Sequence, residues 1–279
     1  MGNRKKPFLS IALMGFFLLV MLSIPAGFLM KTWLPPVASK HGVGIDYVIH
    51  FLLWTTGAVF VVGHLVLMWL VWQNTGKGKS TYKPVSQKVE FIWALVPVIF
   101  MGVISEAGVL VIGRPVWQQL YGETDADALK IELIGRQFEW FVRYPGKDGV
   151  FGKTSPEAVI KRTVDGDNFV GLDKSDPAAL DDIVLRSALR LPVGRMVSIR
   201  LRTQDVQHSF SVPAFRVKQD LVPGLTTRTQ FTPTLVGEYE IACSELCGLG
   251  HYKMRGMAIV LTEQNFDDWL AKQKSFFND

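Results

Sequence analysis

Three long apolar runs near the N-terminus constrain this chain most strongly. Residues 8–30 and 47–72 contain no charged side chain, and residues 91–113 contain one, Glu106. Because about 20 helical residues cross the ~30 Å hydrocarbon layer of a bilayer, each run is long enough to be a transmembrane helix. We therefore predict that residues 1–114 form a membrane anchor of two or three helices, centred on these runs.

The first run has two interpretations. Arg4, Lys5 and Lys6 precede it, as basic residues precede both signal peptides and membrane anchors. Signal peptides carry about 7–15 apolar residues in this position, and the longer run here favours a retained anchor. The sequence Pro25-Ala26-Gly27 leaves cleavage of the first helix open.

Basic residues predict the orientation. Four lysines lie between the second and third runs: Lys77, Lys79, Lys83 and Lys88. If all three runs span the membrane, these lysines lie on the same side as Arg4, Lys5 and Lys6. The first loop, on the other side, has only Lys31 and Lys40. Cytoplasmic loops carry the lysine and arginine excess. We therefore expect an integral protein of a bacterial-type cytoplasmic (inner) membrane, with everything after Arg114 on the extracytoplasmic, periplasmic side.

The net charge of +5 follows the same division. Residues 1–114 carry +7 and residues 115–279 carry −2. The basic balance of the chain therefore reflects its membrane topology, and it does not indicate a nucleic-acid partner.

Residues 115–279 change to frequent charges, turns and alternation with period two, which is typical of a soluble β domain. Val197, Ile199 and Leu201, for example, alternate with polar residues. Residues 146–182 are rich in Gly, Asp, Pro and Lys and predict an insertion at the surface. A closing helix is predicted from Thr262. Several short strands followed by one helix suggest a small sandwich or barrel.

A loop near the C-terminus gathers both cysteines of the chain, a histidine and a methionine. It reads Cys243-Ser-Glu245-Leu-Cys247-Gly-Leu-Gly-His251-Tyr-Lys-Met254. A disulfide and structural zinc are two alternatives, but zinc sites do not use a thioether. Thiolate, imidazole and thioether together are copper ligands. Two thiolates four residues apart can each bridge a pair of copper ions, and His208, the one other histidine of this domain, can supply a second imidazole.

These features resemble subunit II of the haem-copper cytochrome c oxidases. The resemblance covers the membrane helices, His208, the loop C-S-E-L-C-G-x-G-H-x-x-M and Pro223-Gly224 after Lys218-Gln219-Asp220. It implies a cupredoxin-like Greek-key barrel with a dinuclear CuA centre. The residues it implies as copper ligands are Cys243 and Cys247 as bridging thiolates, His208 and His251 as imidazoles, Met254 as the thioether and Glu245 through its backbone carbonyl. The Glu245 side chain is also implied to reach a magnesium ion shared with subunit I, against the alternative of a solvated carboxylate.

A second motif lies in the membrane region. Glu90-Phe91-Ile92-Trp93-Ala94-Leu95-Val96-Pro97 is similar to the family pattern E-x-I-W-x-x-x-P, whose glutamate sits at the mouth of a proton-uptake path into subunit I. The alternative is that Glu90 only stabilises the first turn of a helix through the helix dipole. Glu106, His50 and His64 also lie in the apolar runs. For Glu106 a contact with a partner subunit and proton handling stay open, and for His50 and His64 helix packing stays open beside haem ligation.

The sequence departs from the family where the resemblance places electron uptake. The first of two tryptophans is replaced by Phe138, while Trp140 is retained, and Trp140 has the alternative of a core residue. Arg143 takes a place where the family often presents an acid to a basic cytochrome. The donor is therefore expected to be cytochrome c or another redox protein.

The sequence thus predicts an electron-transfer subunit of a terminal oxidase. The copper pair would pass electrons to haem held by subunit I, where dioxygen is reduced to water with proton translocation. Expected partners are subunit I, other oxidase subunits, the donor protein and membrane lipid. The main alternative is an envelope copper-binding or copper-delivery protein, and a quinol oxidase subunit, which lacks the copper ligands, is disfavoured.

Overall fold

The computed structural model describes residues 8–30, 33–75, 84–160, 162–163 and 166–277. The chain divides into a helical unit and a β unit. Residues 35–44, which include the first residues of the second helix, belong to the β unit together with residues 116–279.

Four α-helices precede the first strand: α1 (Phe8–Leu29), α2 (Gly42–Asn74), α3 (Gln87–Ile99) and α4 (Glu106–Tyr121). A π-helical segment, Phe100–Ser105, makes α3 and α4 continuous. It follows Pro97, which lies inside α3. Proline cannot donate the helical hydrogen bond, and a local π turn is one way in which a membrane helix accommodates it.

Three helical stretches of the described chain are long and apolar enough to span a membrane: Phe8–Gly27, Gly42–Asn74 and Gln87–Tyr121. The second and third extend beyond the apolar runs 47–72 and 91–113, because polar residues continue the helices at their ends. Several basic residues on which the predicted orientation depends lie outside the described residues: Arg4, Lys5, Lys6, Lys31, Lys77, Lys79 and Lys83. The orientation therefore stays a prediction.

The segment between α1 and α2 adds an edge to the β unit. The Ala38 N–H donates to the carbonyl of Ala214 at 2.8 Å, and the Lys40 N–H donates to Thr232 at 3.0 Å. The Ser39 hydroxyl donates to the Phe215 carbonyl at 2.7 Å. This segment therefore belongs to the β unit, although α1 precedes it in the chain.

The β unit contains two five-stranded sheets in its described part. The strands are β1 (Leu129–Arg136), β2 (Glu139–Tyr144), β3 (Arg162–Thr163), β4 (Gly166–Asp167), β5 (Ile183–Arg186), β6 (Ala188–Pro192), β7 (Val197–Thr203), β8 (His208–Val212), β9 (Val217–Leu221), β10 (Thr227–Phe231), β11 (Gly237–Cys243) and β12 (Arg255–Leu261). One sheet has the order β10-β7-β1-β2-β5 and the other β6-β12-β11-β8-β9, while β3 and β4 form a separate hairpin.

Both sheets are mixed: β1 and β7 are parallel, as are β12 and β6, and the other pairs are antiparallel. Alternating apolar side chains of the strands are buried between the sheets, among them Ile131, Leu133, Ile199, Leu201 and Ile241. The structure confirms the predicted class of a helical anchor followed by an all-β, cupredoxin-like domain.

Residues 146–182, predicted as a surface insertion, are partly buried. Val170, Leu172 and Ala179 pack with Ile134 and Phe141 in one apolar cluster. The insertion carries the short helix α5 (Pro156–Ile160) and the hairpin of β3 and β4. It therefore covers one part of the first sheet instead of extending away from it.

Arg143 lies beneath this insertion, and the expectation that it bears on the docking of a donor is wrong. Only 1% of its side chain is exposed. Its guanidinium pairs with Glu132 at 2.8 Å and Asp182 at 2.5 Å, and it donates to the carbonyl of Gly152. A buried charge requires such partners. Arg143 therefore joins the sheet to the insertion.

The predicted closing helix is present as α6 (Glu263–Ala271). The Thr262 side chain accepts a hydrogen bond from the Asn265 N–H at 3.3 Å, which caps the first turn. Phe266 is buried, and Trp269 lies with its ring centroid 5.5 Å from that of Tyr144. The helix therefore packs on the end of the domain formed by β2 and β6.

Candidate metal centre

The cysteine loop connects two neighbouring antiparallel strands. Strand β11 ends at Cys243, β12 begins at Arg255, and a 3-10 turn, His251–Lys253, lies between them. The Sγ atoms of Cys243 and Cys247 are 3.9 Å apart, and both cysteines are free and buried. A disulfide has an S–S distance near 2.05 Å, so the structure holds two separate thiols.

His208 approaches the first thiol from the neighbouring strand. It is the first residue of β8, which pairs with β11 at Phe210 and Cys243. The His208 Nδ1 atom lies 3.9 Å from the Cys243 Sγ. One donor atom from each of His208, Cys243 and Cys247 lies within 4.8 Å of the other two. This arrangement confirms that the sheet brings His208 to the cysteine loop.

The second thiol lies among donors of its own loop. The Cys247 Sγ is 3.6 Å from the Nδ1 atom of His251 and 3.8 Å from the Sδ atom of Met254. The carbonyl oxygen of Glu245 lies 3.2 Å from the Cys243 Sγ, and Glu245 is partly exposed. The other three candidate side chains, His208, His251 and Met254, and the Glu245 carbonyl therefore converge on the two cysteine sulfurs.

Two glycines allow the loop to close tightly. Gly248 has a φ of +127°, a conformation that side chains rarely adopt. At Gly250 an added Cβ would lie 2.4 Å from the Cδ2 atom of Phe138. The Gln137 side chain donates to the carbonyl of Cys247 at 2.6 Å. The turn between β1 and β2 thus packs directly against the cysteine loop.

The two thiols differ in acidity. Burial alone would raise the pKa of Cys243, but hydrogen bonding with His208 and with backbone groups lowers it to about 6. Burial, together with the nearby negative charge of Cys243, raises the pKa of Cys247 to about 11. A metal that binds both sulfurs as thiolates must therefore displace a proton from Cys247.

The donor set fits copper. Buried sulfur and imidazole donors are soft or borderline ligands, and the thioether of Met254 has no use in a structural zinc site. Two thiols 3.9 Å apart can share two metal ions, with one imidazole beside each sulfur. The residues present therefore fit a pair of copper ions.

The two aromatic candidates near the loop occupy different environments. Trp140 is fully buried, with its ring centroid 6.1 Å from that of His208 and 6.4 Å from that of Phe210. Phe138 is partly exposed and lies against Gly250 of the cysteine loop. Only Phe138 of the two can present a face to a docked protein.

The membrane candidates do not form a cluster. Glu90 lies in the first turn of α3, and Glu106 lies in the first turn of α4. The Nδ1 atoms of His50 and His64 lie 2.6 and 2.8 Å from the carbonyls four residues earlier in α2. His64 also contacts Phe17 of α1 through its ring, at 5.8 Å between centroids, which indicates helix packing.

Sequence reasoning assigned no role to Asp205 or Gln137. The Asp205 carboxylate accepts a hydrogen bond from the Nε2 atom of His208 at 2.9 Å and from the backbone N–H of Gln137 at 2.8 Å. An acidic residue three positions before a candidate ligand was the available signal for Asp205. Gln137 had none, because its contact with Cys247 spans 110 residues.

Comparison with known proteins agrees with this geometry. The family described as "Cytochrome C oxidase subunit II, periplasmic domain" matches residues 129–263. The alternative cytochrome c oxidase subunit 2 of Bradyrhizobium diazoefficiens is 37% identical over 247 residues, covering 88% of this chain and 85% of that protein. Cytochrome c oxidase subunit 2 of Cereibacter sphaeroides is 26% identical over 255 residues, covering 87% and 80%.

Among solved structures, the periplasmic domain of subunit II of cytochrome oxidase from Bradyrhizobium japonicum is 26% identical, with a TM-score of 0.38. It covers 53% of this chain and 95% of its own. The sequence likeness to the Bradyrhizobium diazoefficiens protein runs through both the helical and the β unit. This extent assigns the chain to a family. The chain belongs to the family of cytochrome c oxidase subunit II, a component of an oxidoreductase complex.

Proposed function

We propose that this chain takes electrons, one at a time, from cytochrome c or a similar redox protein and passes them to haem in subunit I of a terminal oxidase. There dioxygen is reduced to water, and the reaction is coupled to proton translocation. The observation that carries the proposal is the convergence of buried donors from two strands and one loop on two sulfurs 3.9 Å apart. Family membership supports the same function.

A pair of copper ions, the CuA centre, supplies a redox site that takes up one electron with the charge shared between two metals. Cys243 and Cys247 would hold both ions as bridging thiolates. His208 and His251 would provide the imidazoles, Met254 the thioether and Glu245 its backbone carbonyl. His208 and Cys243 are buried on paired strands, which would hold them in position when the charge of the site changes and keep the reorganisation small.

We assign a second role to Glu245. Its residue is partly exposed at the base of the cysteine loop, while its carbonyl faces the Cys243 sulfur at 3.2 Å. The side-chain carboxylate is an oxygen donor of the kind that magnesium prefers. It would serve a magnesium ion shared with subunit I.

Electrons would arrive near Phe138. Its partly exposed ring lies against Gly250, and the preceding residue, Gln137, bonds to the carbonyl of Cys247. Trp140 is buried beside His208, so it would act within the domain and not as a docking surface. Arg143 is buried and paired, so it presents no basic charge to a docked protein, and a basic cytochrome c stays a suitable donor.

Glu90 would stand at the entrance of a proton path into subunit I. It is exposed within this chain and lies in the first turn of α3, at the end of the helix that the predicted orientation places on the cytoplasmic side. The helix dipole stabilises a carboxylate there. The β unit would then lie on the periplasmic side, and the apolar faces of the helices would contact lipid and the other oxidase subunits.

Copper delivery to another protein is the alternative function. A delivery protein has to release its metal, whereas Cys243, Cys247, His208 and Met254 are all buried here. We therefore expect copper in the full chain to resist a mild chelator over hours. Rapid transfer to the chelator would favour delivery over the relay.

Rapid mixing tests the relay itself. The assembled oxidase is mixed with reduced cytochrome c, and haem reduction is followed by absorbance. The relay predicts that Cys247→Ala abolishes haem reduction by the donor while the haem of subunit I is still reduced by dithionite. Unchanged haem reduction by cytochrome c in that variant would overturn the proposal.

A further inference from the structure

We propose that Asp205 is a positioning residue of the metal centre, whose carboxylate holds His208 in the tautomer that directs the Nδ1 lone pair at the cysteine sulfurs. The inference rests on the proposed function, because it assigns a task at the same site. It concerns a residue that binds no metal itself and acts through His208.

Two segments of the chain meet at this carboxylate, the one that leads into β8 and the turn between β1 and β2. Its Oδ1 atom accepts from the Nε2 atom of His208 at 2.9 Å and from the backbone N–H of Val206 at 2.7 Å. Its Oδ2 atom accepts from the backbone N–H of Gln137 at 2.8 Å. Asp205 therefore has both oxygens engaged, and one of the partners is the candidate ligand.

The hydrogen-bonding chemistry selects the tautomer. An ionised carboxylate can only accept, so the contact at 2.9 Å requires the proton of a neutral His208 to be on Nε2. The Nδ1 atom then carries a lone pair, and it lies 3.9 Å from the Cys243 sulfur. A metal-binding histidine is commonly oriented by such an outer carboxylate.

Packing removes the other orientations of the ring. His208 is fully buried, and a Cβ added at Gly135 would lie 2.9 Å from its Cδ2 atom. The ring of Trp140 lies against it, at 6.1 Å between centroids. Because the ring is fully buried, turning it over would leave an N–H without a partner.

Asp205 also connects the two metal-binding segments. Through Gln137 it holds the turn between β1 and β2, and the Gln137 side chain in turn donates to the carbonyl of Cys247 at 2.6 Å. The carboxylate thus contacts His208 directly and reaches Cys247 through one intervening residue, Gln137. Its loss would loosen the second segment as well as the imidazole.

The first readout uses the copper-free, reduced full chain in detergent, labelled with nitrogen-15 histidine. The His208 signals are assigned by their loss in His208→Gln. With Cys243 replaced by alanine, so that no thiolate competes for the Nδ1 proton, the chain should show the Nε2–H tautomer of neutral His208, and adding Asp205→Ala should give a mixture of tautomers. Asp173→Asn is the control, because the contacts described for that carboxylate are with the backbone N–H and hydroxyl of Ser175 in its own turn.

The second readout is copper binding by competition with a chelator and the electron paramagnetic resonance spectrum of the loaded chain. Loss of an outer-shell partner typically weakens metal binding about 10- to 100-fold. We expect such a loss in Asp205→Ala, with altered hyperfine lines. Asp205→Asn keeps an oxygen for His208 but cannot accept from the Gln137 N–H. Its copper affinity should therefore lie between those of wild type and Asp205→Ala. It also serves as the test if the alanine variant fails to fold.

The outcomes separate the two proposals. An unchanged tautomer and unchanged copper affinity in Asp205→Ala or Asp205→Asn would overturn the role of Asp205, even if wild type holds a copper pair. A wild-type chain that binds no copper pair would overturn the proposed function, while the tautomer measured without copper would still decide whether Asp205 orients His208.

Discussion

Replacing Arg143 by methionine tests whether this residue is structural or belongs to a docking surface. Its guanidinium is the one charged partner that the described contacts give to Asp182, at 2.5 Å and 3.1 Å. In Arg143→Met, Asp182 would keep only the N–H of Gly152, at 3.0 Å. Glu132 would retain Arg200 and Arg202, at 2.8 and 3.2 Å. The damage therefore falls mainly on Asp182 and the insertion that it holds.

The expected magnitude follows from this geometry. Removing one partner of a buried ion pair costs about 3–5 kcal/mol, because an uncompensated charge stays buried. For a domain of this size each kcal/mol lowers the midpoint of thermal unfolding by about 2–4 °C, so we expect a decrease of roughly 6–20 °C. The assay is thermal unfolding of the copper-free full chain in detergent, followed by near-ultraviolet circular dichroism.

Arg255→Met is the matched control. Arg255 pairs with Glu240 at 3.1 Å, but both side chains are largely exposed. Exposed pairs contribute about 0–1 kcal/mol, so the control should unfold near the wild-type temperature. If Arg143→Met unfolded at the same temperature as the control and instead changed the KM for the electron donor, the structural account of Arg143 would be refuted.

Four further changes have defined outcomes. Burial would raise the pKa of Glu132, but the neighbouring guanidiniums of Arg202, Arg143 and Arg200 hold it below its ordinary value of 4.5. The contribution of Glu132 to stability is therefore present above pH 4.5 and is lost as the pH falls through the depressed pKa. Denaturant unfolding across pH should show a smaller acid loss in Glu132→Gln, and an equal loss would contradict the assignment. Gly250→Ala should displace the Phe138 ring and weaken copper binding, because the new Cβ would lie 2.4 Å from that ring; wild-type copper affinity would count against the packing argument. Phe138→Ala should slow electron uptake from the donor in stopped-flow mixing while leaving the copper spectrum unchanged, and wild-type rates would exclude the ring from that step. Glu90→Gln should slow proton uptake and pumping by the assembled oxidase, and unchanged turnover with full pumping would reject its role.

The convergence of the candidate ligands was predictable because most of them are local in the sequence. Cys243, Cys247, His251 and Met254 fall within one loop, whose composition already restricts the metal. The prediction of His208 required only a count of the histidines in residues 115–279. The pairing of β8 with β11 supplies the physical reason that brings it there.

Contacts between distant parts of the chain were not predictable in the same way. The burial of Arg143 depends on the insertion that folds over it, and a polar composition suggested that this insertion was solvated. The pairing of residues 35–44 with the β unit spans more than 170 residues, as in the bond from Ser39 to Phe215. Neither arrangement has a periodic signal in the sequence, because each depends on a few specific contacts and not on a repeated pattern.

The pairing of residues 35–44 with the β unit decides which form of the protein is suitable for measurement. Residues 35–44 complete the edge of the β unit, so a fragment that starts after Arg114 would leave the partners at Ala214 and Thr232 without their bonds. The full chain is therefore the appropriate sample for the metal measurements.

The copper content and electron paramagnetic resonance spectrum of the full chain test the central claim most directly. The chain is reduced, loaded with copper in detergent, freed of excess metal and oxidised mildly. The account predicts two copper ions per chain and the hyperfine pattern of one electron shared equally by two copper nuclei. One copper ion with the pattern of a single nucleus, or retention of zinc in preference to copper, would contradict it.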